Sequence, residues 1–173
     1  MIEIRQARAD DAAFIRSMLV EALNWDPHRV ALSPEAIAAE PTFGRYIAGW
    51  PRPSDLGVVA EADGVLIGAS WMRVFDATEP GYGFLAEDIP ELSIGVAPGW
   101  RGRGVGGRLI DAMIGLARER AIGAISLSVE AANPARRLYE RRGFQTAVGH
   151  GDAITMRLDL RRAAMSSGDD PAH

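Results

Sequence analysis

The densest chemistry in the sequence lies between Glu91 and Leu109, ELSIGVAPGWRGRGVGGRL. Arg101, Gly102, Arg103, Gly104, Gly106, Gly107 and Arg108 crowd together there, with only Val105 between them. Ahead of them Leu92, Ile94 and Val96 alternate like a strand, and Pro98-Gly99 ends it with a turn. Behind them Leu109, Met113 and Leu116 recur at helical spacing, with Ile110, Ile114 and Ala117 beside them. The order is strand, glycine-rich turn, helix. A helix start leaves backbone N–H groups unpaired and carries partial positive charge. Glycine lets a phosphate approach the backbone, and arginine adds charge. Such a turn suits a pyrophosphate.

Three kinds of phosphate loop share that order, and a turn that merely joins strand to helix is the plain alternative. A P-loop needs Gly-Lys-Ser/Thr at the helix start, and here Gly106-Gly107-Arg108 stands instead. Gly102, Gly104 and Gly107 match G-x-G-x-x-G, which alone is weak. A dinucleotide site also wants an acidic residue ending a second strand, and Glu130 comes late for that. The third match is closer. Arg101-Gly102-Arg103-Gly104-Val105-Gly106, after Val96-Ala97-Pro98, reads R-x-x-G-x-G and resembles the acyl-CoA signature of the GNAT superfamily, the GCN5-related N-acetyltransferases. A second block stands downstream: Asn133, Ala135, Arg136, Leu138-Tyr139-Glu140 and Gly143-Phe144 resemble that family's next diagnostic run.

The resemblance covers nearly the whole chain. It implies an α/β (α+β) fold: a mixed, mostly antiparallel twisted sheet of six to seven strands with helices on both faces. It implies that the strand Leu92–Val96 splays from the strand Ile125–Val129, and that pantetheine pairs with backbone at Ile94 and Val96. Gly95 is expected to allow a bulge there. Acetyl-CoA is the implied co-substrate, with no metal. Its pyrophosphate falls to Arg101, Gly102, Arg103, Gly104, Val105 and Gly106. Asn133 matches a CoA contact, and Arg136 reaches toward the 3′-phosphate side. Arg137, Arg141 and Arg142 read as a solvated face.

Acetyl transfer to an amine needs a base, because an alkylammonium has a pKa of about 10. Glu91 sits where the family often keeps a glutamate, and Glu87 is the reserve. A backbone N–H near Val96 is the implied oxyanion donor. Tyr139 matches the family's general acid; a phenol stays protonated at neutral pH and can donate to the leaving thiolate. A carboxylate merely paired with arginine, and a core tyrosine, are the alternatives. The implied activity is N-acetyl transfer to a primary amine on a small molecule or peptide. A GNAT-like module that binds acyl-CoA without turnover is the competing reading.

Other elements must position these groups. Ile2–Arg5 alternates as a strand; Asp10 or Asp11 looks like an N-cap for a helix carrying Phe14, Ile15, Met18 and Leu19. Ser33-Pro34 starts a short helix, which Pro41 breaks or restarts. Trp25, His28, Tyr46 and Trp50 fall in the stretch that walls the acceptor pocket in the resembling family; for each, covering the core is the plainer reading. Leu56–Ala62 and Val65–Phe75 flank Asp63-Gly64, a hairpin signal. Gly68 marks a bulge or a close backbone approach. Asp76–Pro90 is polar and reads as solvated, or as a negative rim for a cationic amine. Thr155–Leu160 is a last strand. One domain, 1–162, is expected, with 163–173 a disordered tail.

Composition narrows the classes. The 173 residues suffice for one domain. With 19 basic and 23 acidic residues the net charge is −4, which argues against a general nucleic-acid binder. There is no cysteine and there are only three histidines, so a thiolate or zinc site is not expected. No apolar run is long enough to span a membrane, and the N-terminus lacks a signal peptide's apolar core. A cytoplasmic protein is the default expectation. Similar proteins are commonly dimers, so a homodimer stays open.

Overall fold

The computed structural model describes residues 1–161. The expected tail, 163–173, lies outside the described residues, as does residue 162. In chain order the elements are β1 Ile2–Gln6, α1 Ala12–Leu23, α2 Pro34–Ala39, α3 Pro41–Gly44, β2 Leu56–Ala62, β3 Val65–Arg73, β4 Glu91–Val96, α4 Val105–Glu119, β5 Ala124–Glu130, α5 Ala135–Glu140, β6 Gln145–His150 and β7 Ala153–Asp159. The strands form one seven-stranded sheet in the order β1-β2-β3-β4-β5-β7-β6. Every pairing is antiparallel except β4 with β5. Among the described residues no helix is long and apolar enough to cross a membrane.

Local sequence explains most boundaries. Asp63 and Gly64 both take positive φ, 51° and 81°, as the tight turn between β2 and β3 requires. Ser33 accepts the Ala36 N–H at the start of α2, with Pro34 in the first turn. Glu40 does the same for α3 through the Thr42 N–H, so Pro41 restarts the helix rather than ending it. Asp11 does not cap α1. Its carboxylate holds the Arg5 guanidinium at 2.8 and 2.9 Å and the Arg8 N–H at 2.7 Å, because a short 3-10 turn, Ala9–Asp11, comes first.

The pleat divides the core into two. On one face Val105, Leu109, Ile110, Met113 and Ala117 of α4 pack on Val58, Ala60, Met72, Leu92, Ile125 and Leu127. On the other, Ile15, Met18 and Leu19 of α1 pack with Ile37, Tyr46, Ile47, Val59, Ala69, Trp71 and Phe75. Neighbours such as Val58 and Val59 point to opposite faces, as period-two alternation dictates. Gly68 lies beside a register shift and under α4, where a Cβ would come within 3.0 Å of Leu109. Gly95 makes no bulge: β3 and β4 pair without a break from Gly68↔Val96 to Arg73↔Glu91. Its bare Cα instead lets the α1 backbone at Met18 lie directly on β4.

The sheet opens at one place. β4 and β5 share a single bridge, Glu91↔Ser126, closed by the Ser126 N–H to the Pro90 carbonyl at 3.0 Å. Beyond it the two strands diverge.

Candidate active site

The open edge of β4 is the first component. The Ala97 N–H bonds back to Ile67 on β3, while the Pro90 carbonyl faces β5. Backbone groups alternate along a strand, so those of Ile94 and Val96 point into the gap that β5 has left. Unpaired strand amides are costly when sealed from water. A ligand carrying its own amide groups fits that edge.

At its end lies the glycine turn. Gly102 and Gly104 adopt φ of 72° and 80°, and a Cβ on either would meet nothing within 4 Å. Glycine is needed there for the left-handed backbone, not for room. The first intrahelical bond of α4 runs from the Arg108 N–H to the Gly104 carbonyl at 3.2 Å. The N–H groups from Gly102 to Gly107 make no backbone hydrogen bond among the described residues. They end a 15-residue helix, so they and the helix dipole face an anion together. Gly106 sits above Leu138, Ile94 and Val96, where a Cβ would lie 3.4–3.9 Å from each. Turn and strand edge are thus contiguous, and both suit the head and arm of an acyl-CoA.

The arginines divide their work. Arg101 is engaged within the protein on two of its nitrogens: Nη2 holds Glu21 at 2.7 Å and Nε donates to the Val96 carbonyl at 3.2 Å. It ties the turn to the last residues of α1. Arg103 lies over Trp100, 5.1 Å from the ring centroid, and is exposed. Arg142, expected on a solvated face, is half-buried and clamps Asp111 at 2.7 and 3.0 Å, passing over Gly107. It fastens α5 to α4.

Glu91 is the second component. It is 3 % exposed and lies at the β4–β5 bridge. Its Oε1 accepts the Tyr46 O–H at 2.6 Å and the Gly83 N–H at 3.0 Å. Its Oε2 is buried with no partner, as is Oγ of its bridge partner Ser126. Burial raises the carboxyl to about 7, and the bonds from Tyr46 and Gly83 pull against that rise. The segment expected to be solvated, Asp76–Pro90, therefore folds partly inward. Gly81 lies directly on Oε2, and a Cβ on Gly83 would come within 2.6 Å of the Leu127 backbone. Glu87 is exposed and lines a separate depression with Arg52 and Asp76.

Tyr139 approaches from the other face. It is 6 % exposed in the core on the α4 side, edge-on to Phe144 with centroids 5.9 Å apart. Its hydroxyl has no hydrogen-bond partner among the described residues, and burial alone raises it above the ordinary phenol value. Asn133 Oδ1 accepts the Ala135 N–H at 2.9 Å at the start of α5. Arg136 pairs with Glu140 at 2.8 Å along the same helix.

The expected pocket wall resolves differently. Tyr46 is the partner of Glu91, a role that residue spacing could not reveal because 45 positions separate them. Trp25 and Arg29 both reach Glu130, at 3.1 and 2.9 Å, so that residue is engaged within the protein. Trp50 donates to the Arg8 carbonyl and covers Gly57, while His28 is exposed. Among the described residues no group of three His, Cys, Asp or Glu side chains gathers to hold a metal ion.

Comparison with known proteins bears on the family and the fold. The acetyltransferase (GNAT) family model matches residues 18–144. Mycothiol acetyltransferase of Propionibacterium freudenreichii subsp. shermanii is 36% identical over 122 residues, 68% of this chain and 37% of that protein. The chain thus spans under half the length of the curated relatives it matches. The ribosomal-protein-alanine N-acetyltransferase from Brucella melitensis superposes with a TM-score of 0.65 at 25% identity, over 91% of this chain and 99% of that one. YncA, a putative acetyltransferase from Salmonella typhimurium solved with its cofactor acetyl-CoA, gives a TM-score of 0.62 at 24% identity, over 92% and 94%.

Proposed function

The chain belongs to the GNAT acetyltransferase family, and on that footing we propose that it moves an acetyl group from acetyl-CoA to a primary amine by direct attack in a ternary complex. The observation that carries this reading is the buried Glu91, raised to about 7 at the bridge where the sheet opens toward the phosphate turn. In this mechanism the amides from Gly102 to Gly107 hold the pyrophosphate, Arg103 adds charge at the mouth, and the edge at Ile94 and Val96 holds the pantetheine amides. The Val96 N–H stabilises the developing oxyanion. Glu91 takes the amine's proton, and Tyr139 gives its hydroxyl proton to the departing thiolate. The chain has no cysteine, so no acyl-cysteine forms on it. Arg101 and Asn133 act as ties that shape the turn and α5, and Arg136 lies nearest in role to the coenzyme's 3′-phosphate.

Gly81 and Gly83 cover Glu91, and that specific feature favours a second reading, an acyl-CoA-binding module with no turnover. Thiol release from acetyl-CoA, measured over a panel of small amines and peptides that includes an acceptor of mycothiol type, separates the two. Turnover should rise with pH through about 7, as Glu91 ionises, and should be lost below it. Glu91→Gln should lower turnover by roughly 100-fold or more. Tyr139→Phe should lower it while sparing CoA affinity. Thermal stabilisation by CoA with no release on any amine would favour the module, and indifference to CoA would overturn both readings.

A further inference from the structure

The carboxylate of Glu91 is held asymmetrically, and the polarity of its hydrogen bonds decides which oxygen is basic. The Tyr82 N–H donates to the Tyr46 hydroxyl oxygen at 2.7 Å. An N–H cannot accept, so the Tyr46 hydroxyl must send its own hydrogen elsewhere, and Glu91 Oε1 lies 2.6 Å away. That length is typical of a hydroxyl donating to a carboxylate. The Gly83 N–H donates to the same oxygen at 3.0 Å. With two donors pointed at it, Oε1 is the poorer place for a proton. Oε2 has no hydrogen-bond partner and is buried beneath Gly81.

The fold spends several contacts on fixing that tyrosine. Its carbonyl accepts the Trp71 Nε1–H at 3.0 Å. Arg73 Nη1 donates to the carbonyls of Arg45 and Ala48, both at 2.8 Å, on either side of it. Arg73 is itself locked by Asp55 at 2.6 and 3.0 Å, both side chains being fully buried. The Tyr46 ring stands edge-on to Phe75 and stacks against Tyr82.

We propose that Tyr46 is a positioning residue for acetyl transfer, whose hydroxyl donates to Oε1 and holds Glu91 as the carboxylate that takes the proton of the incoming amine. This rests on Glu91 being the base. The charged and titratable neighbours do not supply the same control. Arg73, the cross-strand partner of Glu91 on β3, is neutralised by Asp55. Arg157, opposite Ser126 on β7, is exposed and lies nearest Asp159, at 3.9 Å. Glu87 and Asp88 in the covering segment are exposed, and Tyr82 meets the cluster through its backbone and ring face.

The test is the pH profile of kcat/KM for the acceptor in Tyr46→Phe, beside Glu91→Gln. Removing the donor should move the acid limb toward higher pH by about one unit, with kcat/KM at pH 7 about fivefold lower and the deficit shrinking at pH 9. The KM for acetyl-CoA should not change. Site-specific 3-fluorotyrosine at position 46, a stronger donor that keeps every contact, should move the limb the other way, which covers the case of a poorly folding phenylalanine variant. A limb unmoved in both, with Glu91→Gln inactive, overturns the role of Tyr46 and leaves the base intact. Full turnover by Glu91→Gln removes the base, and the role of Tyr46 with it.

Discussion

A carboxylate meant to take a proton near neutral pH must be held away from water, and that leaves a mark on stability. The Glu91 carboxyl rises from 4.5 to about 7 because burial disfavours its charged form. The folded chain therefore holds this proton more tightly than the unfolded chain does. The sign follows: the contribution to stability is full below about 4.5, is lost as pH climbs to about 7, and stays lost above. The window spans two to three pKa units, on the order of 3 kcal/mol. Glu91→Gln is neutral throughout and escapes this dependence. In denaturant titrations the variant should match the parent near pH 5 and exceed it at pH 8, by roughly 2–3 kcal/mol. Parallel curves at both pH values would mean that Glu91 titrates as an ordinary surface carboxylate. The variant would be the more stable protein and the worse catalyst, as groups strained for function commonly are.

At the scale of elements, β4 carries a helix on one face and an open edge beside it, and Gly95 makes the first possible. A Cβ there would run into the Met18 carbonyl, which is helix backbone and cannot swing aside. Gly95→Ala should cost roughly 1–3 kcal/mol, or displace α1. Gly99→Ala, where a Cβ meets nothing within 4 Å, should stay within about 0.5 kcal/mol of the parent. Thermal melts of the two, side by side, check this; equal losses would mean that α1 does not rest on Gly95. The same residue shows where sequence reading stops. Period-two and helical spacing, Asp63-Gly64, and Ser33-Pro34 are local signals, and they marked β2, β3, α2 and α4 without a structure. The glycine turn was legible because its residue types and spacing are themselves distinctive, whereas Tyr139 stood out only through the run it shares with the resembling family. Gly95 was read as a bulge because a glycine's reason lies in what packs against it. Asp76–Pro90 read as solvated because polarity says nothing of a glycine pair folding over a distant carboxylate. Arg101 and Arg142 read as charge for ligand or solvent, since Glu21 and Asp111 are far from them in sequence.

At the scale of the molecule, the sheet works as a partition with one opening. Glu91 and its tyrosine stand on the α1 side, Tyr139 stands in the core on the α4 side, and the divergence of β4 from β5 joins the two. A ligand that closes the opening must therefore change the chain in a distinct pattern. The amides of Ile94 and Val96 and those from Gly102 to Gly107 lack backbone partners and should exchange quickly in the free protein. CoA should slow all of them together, while Ser126, whose N–H already bonds to the Pro90 carbonyl, changes little. At about 100 times its Kd the ligand should stabilise the fold by about 2.7 kcal/mol. For a domain of this size that raises Tm by about 5–10 °C. Protection that spreads evenly over the sheet, or gathers at the exposed edge strand β6, would place the coenzyme somewhere other than the opening. Protection confined to the turn, with Ile94 and Val96 still exchanging, would show the pyrophosphate bound but the arm unthreaded, and Glu91 would then have no thioester within reach.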